Sequence, residues 1–276
     1  MKKKNKEGLE NIASKIRLGI LEEVYQAQSG HPGGSLSIAD LLAVLYFYEM
    51  NIDETNPEME DRDRFVLSKG HASPALYATL AIRGFFDPKE LKTFRNIHSN
   101  LQGHPDKNKV KGVDMSTGSL GQGLSAANGM ALSAKLHHQD YRVYCVLGDG
   151  ELEEGQVWEA AMTAGHYHLD NLCVIVDNNN LQIDGQVDQV MNVHPIDRKF
   201  QSFGFKTITI DGNQIESIIG ALEQAKKVKD KPTMILAKTI KGKGVSYMEN
   251  KAEWHGKAPN KEEYERAVNE IKNRMK

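Results

Sequence analysis

The feature that most constrains this 276-residue chain lies at its centre. Two apolar runs, Arg142–Leu147 and Leu172–Val176, flank a helical stretch, Gln156–His166. Strand, helix and strand at this spacing form a βαβ unit, so the strands are parallel and the crossover is right-handed. The order continues with a strand at Thr207–Ile210, a helix at Ile215–Val228 and a strand at Thr233–Thr239. Apolar strands alternating with helices predict an α/β fold, a parallel sheet with helices on both faces. No repeat, low-complexity stretch or linker interrupts residues 1–276, so the sequence reads as one domain closed by a charged helix, Asn260–Lys276.

The first half supplies helices and loops. Lys6–Gln28 carries Leu9, Ile12, Ile16, Ile20 and Val24 at helical spacing and stops at Ser29-Gly30. A loop, His31-Pro32-Gly33-Gly34, leads to a helix over Ser37–Tyr48, with Ser37 expected as its N-cap. A short strand, Phe65–Leu67, runs into Ser68-Lys69-Gly70-His71, and Pro74–Arg83 and Pro88–Phe94 read as helices. Asn96–Asp114, rich in His, Gly, Pro and Asn, reads as a long functional loop. Gly121–His137 is a helix crowded with small residues.

Composition removes several classes of function. The formal net charge is −2, which demands no basic face, so nucleic acid is not an expected partner. The longest apolar runs, such as Leu41–Tyr48, are too short to span a membrane. The basic start, Met1–Lys6, has no apolar core behind it and is not a secretory signal. Cys145 and Cys173 sit inside the apolar strands, where they read as buried thiols, and a reducing, cytoplasmic location is the expectation.

Open parallel sheets bind ligands beyond the carboxyl ends of their strands. One central strand ends in Gly148-Asp149-Gly150 and the next in Asp177-Asn178-Asn179-Asn180. A single crossover joins them, so their ends lie close together. Asp149, Asn179 and the Leu181 carbonyl would offer a hard cation three oxygens, with phosphate oxygens and water completing an octahedron. The two glycines beside Asp149 allow a phosphate close to the backbone, and the helix after Glu154-Gly155 could turn its N-terminal amides to it. Four histidines, His31, His71, His104 and His255, stand in glycine-rich loops, and histidine is the side chain suited to moving protons near neutral pH.

From Asp149 to Asn179 is 30 positions (179 − 149). With that spacing, the segments GDGELEEGQVWEA and VIVDNNNLQIDG resemble the metal motif of the transketolase family. SGHPGGSLS (Ser29–Ser37), LSKGHASPALY (Leu67–Tyr77), GHPD (Gly103–Asp106), STGSLGQGLSAANG (Ser116–Gly129) and KGKGVSYMENKAEWHGKAP (Lys241–Pro259) are similar to transketolase segments in the same order. The resemblance covers essentially the whole chain. It implies a thiamine-diphosphate-binding fold, the diphosphate-binding domain, with Mg²⁺ or Ca²⁺ held by Asp149, Asn179 and Leu181. It implies that His31, His71, His104 and His255 line the reacting end of the cofactor. His71 and His255 would also reach the diphosphate, and His31 and His104 substrate hydroxyls. Gly118, Leu120, Gly148, Gly150 and Glu154 would complete the cofactor site. The resemblance makes Glu154 a buried acid at the subunit interface, linking two active sites; by itself it also reads as a helix N-terminal acid, Leu120 as core, and Lys241 and Lys243 as either an anion contact or a solvated basic loop. His98, His137, His138, His166, His168 and His194 read as surface or structural residues.

In the family a second domain binds the aminopyrimidine ring and supplies an activating glutamate. That glutamate has no counterpart here. Either the sequence is a fragment of a longer enzyme or, the favoured reading, it is the N-terminal subunit of a split transketolase of the pentose phosphate pathway, acting on sugar phosphates. Its partner would be a pyrimidine-binding C-terminal subunit, in a dimer of heterodimers. Alternatives are a modified-sugar transketolase, a deoxyxylulose-phosphate synthase, a non-catalytic interaction subunit and a Mg²⁺-dependent phosphate enzyme without thiamine.

Overall fold

The computed structural model describes residues 5–183 and 185–275. Met1–Lys4, Asp184 of the quoted metal motif and Lys276 lie outside the described residues. The helices are α1 (Lys6–Ala27), α2 (Pro32–Leu36), α3 (Ala39–Val44), α4 (Ser73–Arg83), α5 (Gln122–Leu136), α6 (Gly155–His166), α7 (Val187–Val190), α8 (Ile196–Ser202), α9 (Ile215–Lys227) and α10 (Lys261–Lys272). The strands are β1 (Arg64–Leu67), β2 (Val143–Gly148), β3 (Leu172–Asn178), β4 (Lys206–Asp211) and β5 (Thr233–Lys238). They form one sheet in the order β1-β2-β3-β5-β4, with every pair parallel.

Strand side chains alternate between faces, and each face of this sheet has its own apolar core. Tyr144, Val146, Cys173 and Ile175 join one core, with Leu9, Ile16 and Ile20 of α1 and with α3, α4 and α9. Val143, Cys145, Leu147, Val174 and Val176 join the other, with α5, α6 and α8. Burial on both sides is why these strands read as continuous apolar runs. Both cysteines are free and fully buried, which matches their reading as core thiols.

The structure corrects three local expectations. Proline at the first helical turn makes His31-Pro32-Gly33-Gly34 the start of α2, not an open loop. Ser37 does not cap the following helix. Its hydroxyl reaches Asp177 Oδ2 at 2.7 Å, and α3 starts at Ala39 and ends in a π-helical turn, Leu45–Glu49. Pro88–Phe94 tightens to a 3-10 turn, Pro88–Thr93, begun by Asp87, whose side chain accepts from the Lys89 amide at 2.9 Å. The tail helix forms, opened by a capping box between Asn260 and Glu263.

Ile175 lies on the central strand and is fully buried. Ile175→Ala should cost about 3 kcal/mol, seen as a lower urea midpoint with an unchanged slope.

Candidate active site

The loops after β1, β2 and β3 meet at the carboxyl edge of the sheet, around a cavity of about 460 Å³. Its wall contains all twelve residues singled out in the sequence: His31, His71, His104, Gly118, Leu120, Gly148, Asp149, Gly150, Glu154, Asn179, Leu181 and His255. It also contains residues that sequence reasoning missed, above all Lys69 and Glu151. Lys241, read as equally suited to a solvated loop, is instead 2% exposed and inside the cavity.

Lys69 and Asp177 form a buried ion pair at 2.5 Å. Lys69 Nζ also donates to the Gly34 carbonyl at 2.8 Å. Asp177 further accepts from Ser37, Asn179 and Thr239. Burial pushes its carboxyl up, but Lys69 and the hydroxyl donors outweigh that and hold it below the usual carboxylate range. Glu151, also buried, accepts from Ser68, from the Gly121 amide at 2.9 Å and from the Gly148 amide at 3.0 Å. It thereby fastens the Gly118–Gly121 turn to the end of β2. The one faint signal for both was an ionisable residue soon after an apolar strand.

Asp149 is 2% exposed and has no ion pair of its own among the described residues. Its carboxylate accepts from the Gly150 amide at 2.9 Å, the Asn180 amide at 2.5 Å and Asn178 Nδ2 at 3.2 Å. Asn180 offers that amide from a left-handed conformation, φ 58°, which asparagine tolerates. Burial and then the nearby Asp177 charge push the Asp149 carboxyl up to about 6. A cation beside this buried carboxylate would favour its charged form, and carboxylate, amide and carbonyl oxygens are the donors a hard divalent ion takes. No trio of His, Cys, Asp or Glu suited to a metal occurs among the described residues, so a metal here would depend on Asn179 and Leu181. Asn179 Oδ1 accepts from the Leu181 amide at 3.1 Å, and the Leu181 carbonyl accepts from Lys241 Nζ at 2.9 Å. An arriving ion would share or replace those bonds.

His31, His71 and His255 form a triangle, with ring centroids 5.3 Å apart on every side. His104 joins them against Gly118, whose φ of 149° and 3.0 Å clearance from the imidazole exclude any larger residue. Burial, then Arg95, His104 and Lys241, bring His31 down to about 4. Burial, then Lys241, His31 and Lys69, bring His255 to about 3. Burial and Lys69 hold His71 well below its ordinary value, and burial and Arg95 lower His104. The remaining six histidines are exposed and outside the cavity, as read from the sequence. Leu120 is half-buried on the cavity wall, outside both cores. Glu154 is exposed at the start of α6 and makes no side-chain cap. Lys243 lies outside the cavity, 3.7 Å from Glu249.

The class this architecture defines is a thiamine-diphosphate-binding domain, for residues 9–274 match the family model "Transketolase, thiamine diphosphate binding domain". The chain belongs to the transketolase family. It is 46% identical over 263 residues to the 6-deoxy-6-sulfo-D-fructose transketolase subunit SqwG of a Clostridium strain, covering 95% of this chain and 96% of that one. It is 42% identical to an apulose-4-phosphate transketolase subunit of Phocaeicola vulgatus, covering 98% of this chain and 95% of the relative. The crystal structure of Campylobacter jejuni transketolase superposes with a TM-score of 0.91 at 38% identity, over 96% of this chain but only 42% of that chain. The chain thus spans nearly the full length of the two subunit relatives and about two-fifths of the solved transketolase.

Removing Lys69 would leave Asp177 buried without its cation. Lys69→Met should cost about 3–5 kcal/mol, and adding Asp177→Leu should return much of it, measured by urea denaturation. The histidines give a pH signature. The unfolded chain protonates them near 6.5, whereas His31 and His255 wait until about 4 and about 3 when folded. The unfolded state therefore binds more protons between those values, and stability should fall as pH drops below 6.5 towards 4. Imidazole resonances of His31 and His255 that stay flat from pH 8 to 5 would check it; a midpoint within that range would contradict it.

Proposed function

We propose that this chain is the diphosphate- and metal-binding subunit of a two-chain, thiamine-diphosphate-dependent transketolase. It would transfer a two-carbon ketol unit from a ketose phosphate to an aldose phosphate. One observation carries this reading. The Asp149, Asn179 and Leu181 oxygens share a single cavity with four histidines, in a chain matched over 95% and 98% of its length by relatives named as transketolase subunits. When bound, thiamine diphosphate supplies a carbon nucleophile able to break and remake a bond beside a carbonyl.

The chain's own residues would do the rest. Asp149, Asn179 and the Leu181 carbonyl would hold Mg²⁺ or Ca²⁺, and Lys241 and Lys69 add the positive charge a diphosphate needs. Gly148, Gly150, Gly118 and Leu120 would form the cofactor's wall. His71 and His255 would face the diphosphate side. His31 and His104, neutral at pH 7, would exchange protons with substrate hydroxyls. Glu154, exposed beside the cavity, would meet the partner. The partner is a pyrimidine-binding chain, and two copies of each would form the assembly. The buried free thiols fit a reducing cytoplasm, and no helix among the described residues is long and apolar enough to cross a membrane.

Substrates of the pentose phosphate pathway are the first choice. A modified-sugar transketolase is the second reading, favoured by the names of the two subunit relatives, one for 6-deoxy-6-sulfo-D-fructose and one for apulose 4-phosphate. The test is ketol transfer from xylulose 5-phosphate to ribose 5-phosphate with thiamine diphosphate and Mg²⁺, with and without the partner chain. Activity should appear only in the mixture, and Asp149→Ala should lower it at least about 100-fold. Transfer by this chain alone would overturn the two-chain reading.

A further inference from the structure

The cavity contains a contact that decides what one of its histidines can do. Lys241 Nζ lies 2.9 Å from His255 Nδ1. Burial and then Lys69 lower Lys241 to about 8, so at pH 7 it is still mostly an ammonium, with three N–H donors and no lone pair. The imidazole nitrogen facing it must therefore accept, which leaves the ring proton on Nε2.

Lys241 is held in place chiefly by its stem and its backbone. Until an ion takes the Leu181 carbonyl, Lys241 Nζ also donates to that oxygen at 2.9 Å. Its stem runs against Gly33, where an added Cβ would come within 3.1 Å of Lys241 Cγ and 2.8 Å of the Trp254 carbonyl. The backbone on each side is tied: the Gly242 amide donates to the Gly33 carbonyl at 3.0 Å, and the Asn250 amide to the Lys241 carbonyl at 2.9 Å. Gly33 in the His-Pro-Gly-Gly turn thus makes room for the side chain that orients a histidine more than two hundred positions further on.

We propose that Lys241 is a positioning residue that holds His255 in the tautomer protonated at Nε2, so that His255 offers the cavity a hydrogen-bond donor and not a base. This deepens the transketolase reading, on which it rests, by dividing the histidines. His255 donates to an anionic or carbonyl oxygen. Proton acceptance falls to the others, among which His31 has a buried Nδ1 with no partner and so no fixed tautomer from this contact. The third Lys241 proton remains available to the same cavity.

The tautomer is read directly from nitrogen NMR of the chain with ¹⁵N-labelled histidine at neutral pH, which needs no activity. Wild type should show His255 as the Nε2–H tautomer. Lys241→Met keeps the stem and removes the donors, so it should shift the tautomer ratio about tenfold towards a mixture, the equivalent of one ordinary hydrogen bond. Lys241→Arg should restore the wild-type ratio. Gly33→Ala, which pushes on the stem and keeps the ammonium, should also disturb it and serves if the methionine variant does not fold. In the assembled enzyme, Lys241→Met should lower kcat more than it raises KM, with rescue by arginine. An Nδ1–H tautomer or an even mixture in wild type would overturn the proposal, as would an unchanged ratio in both Lys241→Met and Gly33→Ala. Failure of ketol transfer with the predicted tautomer intact would count against the transketolase reading alone.

Discussion

The Lys69–Asp177 pair holds the rest of the site in register. Asp177 ends β3, Lys69 follows β1, Thr239 follows β5, and Ser37 precedes α3, so one buried carboxylate collects donors from several segments. A lone buried charge of either sign would be costly, and each of these groups is satisfied only when all the segments arrive together. The same ion pair places a cation beside Gly34 and the histidines, and a carboxylate beside Asp149.

From that arrangement follows the unusual charge state of the cavity. Asp149 is raised because water is excluded and Asp177 is ionised nearby. His71 and His255 are lowered because burial and two lysines oppose a further positive charge. Both effects suit the guest proposed above. A divalent cation would relieve Asp149 and a diphosphate would relieve the lysines, so the pair would correct two opposite imbalances in one cavity. The glycines in the lining serve geometry: Gly118 and Gly33 leave space for His104 and Lys241, where a methyl group would collide.

Much of this was legible in the linear chain, and particular residues show why. Strand and helix order follows from apolar runs that must be buried on both sheet faces, which is a local pattern. Asp149 and Asn179 were readable because a single crossover brings consecutive strand ends together. The four site histidines stood out by their glycine neighbours. Ser37 was misread because its serine sits where an N-cap would, and only the fold shows Asp177 within reach of its hydroxyl. Lys69, Glu151 and Lys241 carried little local sign, since a lysine or glutamate in a loop is ordinarily solvated.

The sequence by itself therefore determined the parallel α/β architecture, the strand ends that border the candidate site, and the residue types available there. Only the tertiary structure decided which charges are buried, which carboxylate is paired with a lysine, and which nitrogen of His255 faces Lys241. The reason is physical: periodicity and turn chemistry are properties of neighbouring residues, whereas desolvation and hydrogen-bond pairing depend on segments far apart in the chain that meet only in the folded molecule.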